Sequence, residues 1–379
     1  MPWKEVSRVA CRREFVMLAA GQERGFRQLC RGFGVSRTTG YQWLRRFEKE
    51  GDPGLVDRSH RPRESPRKTA AGTEDAILKL RREQPAWGAR KLRRRLEVLG
   101  HWDLPAPSTV HAILLRHGLV DPQESAKHRP WQRFEHEAPN QLWQMDFKGH
   151  FATQRGGRCH PLTVLDDHSR FALGLEACAN EKGTTVQQKL TGIFRRYGLP
   201  ERMTMDNGSP WGSDSEHPFT PLTLWLIRLG IRVSHSRPFH PQTQGKDERF
   251  HRTLKVELLE RNCFQDVSEA QRRFDPWRNT YNLERPHQAL GMEVPASRYR
   301  VSARAYPEAL APIEYGPSDI VRRPDPMGRC SFAGRRVKIS RAVAGYPVAF
   351  RQTSQDAVYD VYFCTQRVAQ IDLRDPLET

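Results

Sequence analysis

Leu142–Phe151 reads LWQMDFKGHF, His160–Ser169 reads HPLTVLDDHS and Arg170–Cys178 reads RFALGLEAC. Each run is short, rich in β-branched, aromatic and aliphatic residues, and bounded by Gly, Asp or Ser, which is the pattern of a strand. The links between them are too short for a crossover, so the three strands are expected to be antiparallel. Helix and strand then alternate. TTVQQKLTGIFRRYGLP (184–200) is a helix stopped by Gly-Leu-Pro, and ERMTMDNG (201–208) a fourth strand ending in a turn. TPLTLWLIRLG (220–230) is a helix, IRVSHSRPF (231–239) a fifth strand, and QTQGKDERFHRTLKVELLERN (242–262) a long helix. A three-strand meander followed by αβαβα predicts an α/β domain, residues 135–305, around a mixed five-stranded sheet.

Three carboxylates fall at informative places in this block. Asp146 lies in the first strand among Trp143, Met145 and Phe147, and Asp206 follows Met205 at the end of the fourth. A carboxylate in a half-buried strand is costly unless it is paired, hydrogen-bonded or metal-bound. Strands one and four can meet only through a long connection, so sequence alone does not join these two residues. On the last helix Phe250, Leu254 and Leu258 form the apolar stripe. Glu248 shares another face with Arg252 and Lys255, while Asp247 lies nearer the stripe. An i, i+4 surface ion pair is the plain alternative reading of Glu248. Three carboxylates suit hard Mg²⁺ or Mn²⁺. Two such ions can support in-line displacement at phosphorus with no covalent nucleophile. That fits a chain without G-x-S-x-G, P-loop or H-E-x-x-H motifs.

Outside the α/β block the chain is basic. Its 379 residues carry a net charge of +18, with a pI near 10.0. The first 130 residues hold 27 basic and 15 acidic side chains. Such a field names a polyanionic partner without naming an activity. FRQLCRGFGVSRTTGYQWLRRF (26–47) reads as helix, Gly-containing turn and a second helix capped by Ser36, with Gly40 and Trp43 facing inward. Arg37, Thr38, Tyr41, Gln42 and Arg45 then project outward, where a recognition helix would meet DNA. The expected first helix-turn-helix domain spans residues 1–58, and a basic linker residues 59–72. A second such module, residues 73–130, has Ile77, Leu78 and Leu80, then Leu92, Leu96 and Leu99, then Val110, Ile113 and Leu114 as buried stripes, with Ser108 capping its third helix. Arg90, Lys91, Arg93, Arg94 and Arg95 crowd one helix. They read either as a phosphate-tracking face, with Arg90 and Arg94 on DNA, or as a solvated charged face. From residue 315 to 379 five short strands at even spacing point to a small β-barrel.

Seven scattered cysteines without a C-x-x-C pair support neither a disulfide framework nor a zinc site. No apolar run approaches a membrane span. The charged start MPWKEVSRVACRREF is unlike an export signal, so a cytoplasmic protein is expected.

At WQMDFKGHF, HPLTVLDDHSRFALG, MTMDNGSP, HSRPFHPQTQGKDERFHRTLK and YNLERPHQALGMEVPASRY the chain resembles the insertion-sequence DDE transposases of the retroviral-integrase superfamily. The resemblance runs through roughly residues 135–300. It implies a ribonuclease-H-like core with catalytic and metal-binding Asp146, Asp206 and Glu248, two Mg²⁺ ions for which Mn²⁺ can substitute, and a homo-multimer on paired element ends. It implies double-stranded DNA substrates, terminal inverted repeats and a target, that are cut and joined. Between the first two carboxylates lie 59 residues and between the last two 41. The longer second gap falls in WGSDSEHPFT, a loop insertion containing Asp214 and Glu216. Asp166 and Asp167 match a family motif but read as capping or turn residues. His235, Arg237, His240, Gln242 and Lys246 could line a DNA path, with Arg252 and Lys255 beyond them. Tyr281, Asn282, Arg285 and His287 read as packing the following helix on the core. Two rival readings remain, a nuclease that cuts without joining and a non-catalytic helix-turn-helix regulator derived from a mobile element.

Overall fold

The structure is a computed structural model that describes residues 7–21, 25–58, 68–120, 135–212, 219–235 and 245–374. Arg237, His240 and Gln242, Asp214 and Glu216, and residues 59–67 of the expected linker lie outside the described residues. The chain divides into two units, Met1–Lys68 and Thr69–Thr379.

In the first unit α1 (Arg8–Ala20), α2 (Phe26–Gly32) and α3 (Arg37–Glu50) enclose Phe15, Val16, Leu29, Cys30 and Leu55. Ser36 caps α3 by accepting from the Thr39 amide at 3.1 Å, and Gly34 takes φ 66° in the turn before it. Both are local features, and both were readable from the chain. Gly40 is needed for close approach. A Cβ there would sit 2.9 Å from Phe15 Cζ and 3.0 Å from both Cys30 Sγ and Phe26 Cζ. Gly40→Ala should therefore cost about 1–3 kcal/mol through overpacking, seen as a lower unfolding midpoint for this unit. An unchanged midpoint would show that the two rings yield freely. Trp43 is half-buried, with Arg12 and Arg46 guanidinium carbons 4.0 and 4.4 Å from its ring centre.

The second unit begins with α4 (Ala71–Glu83), α5 (Ala89–Val98) and α6 (Pro107–Arg116) around Ile77, Leu92, Leu96, Val110 and Ile113. Two local expectations are corrected. Ala106, not Ser108, is the N-cap of α6, and Pro107 opens the helix, because its fixed φ suits the first turn and no side-chain cap is used. Leu99 is 54% exposed, because α5 ends one residue before it and the apolar stripe ends with the helix.

The central sheet contains β1 (Trp143–Phe147), β2 (Phe151–Ala152), β3 (Arg158–Asp166) and β4 (Ala172–Cys178). After α7 (Gly183–Tyr197) come β5 (Arg202–Met205), α8 (Pro221–Arg228) and β6 (Arg232–His235). The main order is β4-β3-β1-β5-β6, with β2 a two-residue extension beside β3. β1, β3 and β4 are antiparallel as expected, while β1–β5 and β5–β6 are parallel. This is the predicted mixed five-stranded sheet.

Both faces of the sheet are covered, so alternate residues serve different layers. Trp143, Met145, Leu162, Val164, Met203 and Met205 join one apolar cluster with Val186 and Leu190 of α7 and Leu222 and Leu226 of α8. Residues in the other phase face α9 (Gly245–Glu257) and α10 (Val267–Leu283): Leu175 and Ala177 pack with Leu254 and Phe274, and Leu165 with Phe250 and Tyr281. Gln144, Asp146, Thr163, Thr204 and Asp206 belong to this second phase. Asn282 also bonds across it, accepting from the Ala172 amide at 2.8 Å and donating to the Ala172 carbonyl at 3.0 Å. Tyr281, Arg285 and His287 are buried with it, so this group does pack the helix onto the core.

The carboxy-terminal part holds β7 (Ile320–Arg322), β8 (Arg329–Phe332), β9 (Arg335–Lys338), β10 (Val348–Gln352), β11 (Val358–Phe363) and β12 (Gln366–Asp372). The expected barrel is not formed. β12-β11-β10-β7 is an open four-stranded antiparallel sheet, and β8-β9 a separate hairpin. Phe332, Val348, Phe350 and Phe363 instead continue the apolar cluster of the core, so the sheet buries one face on a neighbour rather than by curling on itself. Gln366 clamps the edge strand β6 by accepting from the Val233 amide at 2.9 Å and donating to its carbonyl at 2.8 Å. Among the described residues no helix is long and apolar enough to cross a membrane.

Candidate active site

Parallel pairing of β1 with β5 sets Trp143 opposite Met203 and Gln144 opposite Thr204. The register carries Asp146 and Asp206 to the same end and face of the sheet, which resolves the adjacency that sequence left open. Burial first, and the charge on Asp206 second, push Asp146 up to about 7, against the Phe147 amide and Lys148, which favour its ionised form. Asp206 is also raised, chiefly by burial, although the Gly208 amide donates to it at 3.0 Å. Two carboxylates whose proton affinities are both raised form a site that a cation would relieve.

The start of α9 faces this pair in an unexpected way. Asp247 is buried, with neither carboxylate oxygen hydrogen-bonded among the described residues, and burial, then the charges of Asp146 and Asp167, raise it well above its ordinary value. Glu248 is exposed on the adjoining face with Arg252 and Lys255. Among the described residues no three His, Cys, Asp or Glu side chains are gathered closely enough to hold an ion. The structure thus brings Asp146 and Asp206 together, and leaves Glu248 apart from them.

Sequence reading missed His251, one turn beyond Asp247 on the apolar side of α9. Its Nε2 lies 2.8 Å from Thr163 Oγ1, which donates to the Asp146 carbonyl at 3.0 Å. The hydroxyl proton is committed to that carbonyl, so His251 donates through Nε2 and its Nδ1 carries the lone pair. Burial, then Lys148, lower this imidazole to about 3, so the 3.9 Å approach of Nδ1 to Asp146 is a contact of a neutral ring and not an ion pair. His251 therefore bolts α9 to the backbone of β1 at Asp146. The available signal was its i, i+4 relation to Asp247.

Lys246 has a different task from the DNA contact expected of it. Its ammonium is bound to the Asp167 carboxylate. Asp167 is 1% exposed and also accepts from Gln144 Nε2 at 2.9 Å and the His136 amide at 2.9 Å. Asp166 accepts from the Ser169 amide at 2.8 Å and the Asn140 amide at 2.7 Å. The Asp-Asp pair is thus a structural turn, as expected, that ties β3 to α9.

The residues expected to read DNA divide into two groups. Arg37, Thr38, Tyr41, Gln42 and Arg45 are all exposed on α3, and Tyr41 stacks on Phe26 at 4.2 Å. Arg90 is exposed, but the basic run of α5 is largely committed to the α/β domain. Arg94 binds Glu293 at 2.6 Å, Arg95 binds Glu284, and Lys91 is lowered to about 7 by burial and then by Arg285. Neither reading of this run foresaw the docking, since the glutamates lie some 190 residues away. A double-mutant cycle of Arg94→Ala with Glu293→Ala should give a coupling of about 0.2–1 kcal/mol that fades at high salt, as for other half-exposed pairs. A coupling that salt leaves unchanged would contradict this.

Residues 136–241 match the integrase core domain and residues 229–295 a second integrase core domain model. Residues 12–63 match a helix-turn-helix domain, 39–114 a homeodomain-like domain, and 319–378 the carboxy-terminal domain of IS481 family transposases. A 31.7 kDa protein of insertion element IS407 from Burkholderia multivorans is 28% identical over 171 residues, covering 44% of this chain and 59% of that protein. A 39.2 kDa protein of insertion element IS476 from Xanthomonas euvesicatoria is 28% identical over 159 residues, covering 42% and 44%. The chain thus spans less than two thirds of either relative. Among solved structures, the catalytic core domain of BIV integrase aligns with 22% identity and a TM-score of 0.31, covering 42% of this chain and 92% of that one. With an integrase core match between helix-turn-helix matches and an IS481-type carboxy-terminal match, the chain is similar to the insertion-sequence transposases that carry an integrase core.

Proposed function

We propose that this protein binds the ends of its own insertion sequence and catalyses metal-dependent DNA strand cleavage and strand transfer. The observation that carries the reading is the pairing of Asp146 with Asp206 across two parallel strands, at the cost of a proton affinity raised on both. An all-oxygen donor pair that repels itself suits a hard divalent cation. Asp146 and Asp206 would hold Mg²⁺, or Mn²⁺ in its place, with Glu248 as the third ligand on the strength of the sequence pattern. Two such ions, when bound, supply activation of the attacking water or 3′-hydroxyl and neutralisation of the leaving oxygen.

The chain's own residues provide position. The His251–Thr163 link fixes Asp146 against α9, and the Lys246–Asp167 pair fixes the first turn of that helix. Arg252 and Lys255, exposed beside Glu248, would meet backbone phosphates. Arg37, Thr38, Tyr41, Gln42 and Arg45 would read the terminal inverted repeats, and Arg90 would meet a backbone phosphate. Arg94 is proposed as a DNA contact only if its pair with Glu293 is exchanged for a phosphate. The working form would be a homo-multimer holding two ends and a target, in a bacterial cytoplasm.

The test is incubation with labelled DNA carrying the element's ends, in Mg²⁺ or EDTA, beside Asp206→Asn and Glu248→Gln. Cleavage and joining that need metal and vanish in both variants, while DNA binding survives, are expected. Cleavage without joining would favour a nuclease, and binding without either would favour a regulator. Separately, Arg252→Ala and Lys255→Ala should each lower the log–log slope of end binding against salt by about one. Unchanged slopes would remove these side chains from the DNA path.

A further inference from the structure

A cleft of about 500 Å³ opens between the turn from β1 to β2 and the segment after α9, lined by Lys148, Phe151, Lys255, Leu259, Cys263 and Phe264 among others. Two elements lead from the carboxylates into it. Lys148 is two residues beyond Asp146, and its amide continues the strand ladder by donating to the Pro161 carbonyl at 2.9 Å. Residues i and i+2 of a strand share a face about 7 Å apart, and the Lys148 charge acts on both Asp146 and His251. Lys255 lies seven residues beyond Glu248, two helical turns or about 10 Å along the same face. A DNA strand whose reacting phosphate lay at Asp146 and that ran toward Lys148 and Lys255 would bring its next nucleotide to the cleft.

The lining fits one part of that nucleotide. Phe151 is only partly buried, and the buried Phe264 backs its ring at 5.0 Å and 37°; a supported aromatic ring is a surface on which a base stacks for about 1–3 kcal/mol. The two ammonium groups suit the flanking phosphates. Glu260 approaches Lys255 at 3.5 Å, but both side chains are more than half exposed, so a phosphate can replace it.

We propose that this cleft receives one unstacked nucleobase of the DNA strand that passes Asp146, with Phe151 as its stacking wall and Lys148 and Lys255 on the adjoining phosphates. The proposal rests on the DNA-strand reading above, and it names a binding site distinct from the carboxylates. Taking a base out of the stack costs a few kcal/mol, so the site selects ends whose terminal pairs open easily.

Cys263 is an exposed free thiol in the lining and supplies the probe. Full-length protein in EDTA is mixed with element-end duplexes carrying a thiol-tethered base at successive positions, under mild oxidation. Disulfide capture concentrated at one or two neighbouring positions, and lost in Cys263→Ser but not in Cys11→Ser, is the expected result. Cys263→Trp should fill the cleft. The fluorescence of 2-aminopurine at the captured position should then fall back to its duplex level, with affinity for the end reduced about tenfold, the loss of one stacked base. Capture spread evenly along the duplex, or fluorescence unchanged in Cys263→Trp, would overturn the cleft while leaving strand transfer untouched. Protein–protein capture through Cys263 that DNA does not compete would assign the cleft to a second copy, which also overturns it. Failure to bind the ends at all would overturn the underlying DNA reading instead.

Discussion

Asp146→Asn should lose strand cleavage and joining by three orders of magnitude or more, about 4 kcal/mol of transition-state stabilisation, and yet fold more stably than the parent. Both halves have the same origin. Asp146 sits in the half-buried face of β1 beside Asp206, and burial together with that charge raises it to about 7. A carboxylate whose proton affinity is higher in the native state than in the unfolded chain penalises folding once it is ionised. The native protein therefore loses stability as pH rises from the ordinary carboxylate range through about 7, and Asn, which keeps an acceptor for the Phe147 amide, is spared that loss. Each tenfold difference in proton affinity between the folded and unfolded chain is worth about 1.4 kcal/mol. The gain at pH 8 should thus be of the order of a few kcal/mol and should vanish near pH 4. Mg²⁺ should raise the melting temperature of the parent at pH 8, since a ligand of the native state stabilises it, and leave the variant unmoved. The dependence on metal should steepen below pH 7, where protons compete for the site. A parent indifferent to Mg²⁺, with a variant no more stable than it, would sink the reading of this pair as a cation site.

The largest structural effect is expected at Asp167. Burial alone would raise this carboxylate, but Lys246, by its charge and its hydrogen bond, and the His136 contacts outweigh burial and hold it below its ordinary value. Asp167→Ala removes the counter-charge from an ammonium that is itself only 15% exposed. It also takes the acceptor from Gln144 Nε2 and the His136 amide. Breaking a buried pair in this way costs about 3–5 kcal/mol, or roughly 6–20 °C in a domain of this size. The sign with pH is opposite to that of Asp146: this stability is present above the unfolded carboxylate pKa and is lost as pH falls through the lower folded value. The double variant Asp167→Ala, Lys246→Met should recover part of the loss, because the buried ammonium that has lost its Asp167 partner is then gone. Since Lys246 opens α9 two residues before Glu248, catalysis should fall more steeply than stability in Lys246→Met. If the double variant is no better than Asp167→Ala, the pair is not coupled as the geometry requires.

The sequence by itself determined most of what is local. The Ser36 cap, the turn at Gly34, the inward Gly40, the order of strands and helices in the α/β domain and the identity of the polar residues in otherwise apolar strands all follow from periodicity and capping. Those forces act over a few residues. The alternation of Trp143 and Met145 against Gln144 and Asp146 even assigned the carboxylate to a face, although not to a partner. Only the tertiary structure decided what depends on chain segments far apart in sequence. Asp146 and Asp206 meet because β5 pairs in parallel with β1, a topological outcome that no local pattern encodes. The arginines of α5 looked free for phosphate until Glu284 and Glu293 arrived beside them. Lys246 looked like a DNA contact until β3 delivered Asp167. The carboxy-terminal strands had the spacing of a barrel, but an apolar neighbour was available to cover their inner face, and burial against it removed the need for closure. A side chain's type and phase are properties of its own stretch of chain, whereas its charge partner and its burial are set by whichever distant segment the fold brings to it.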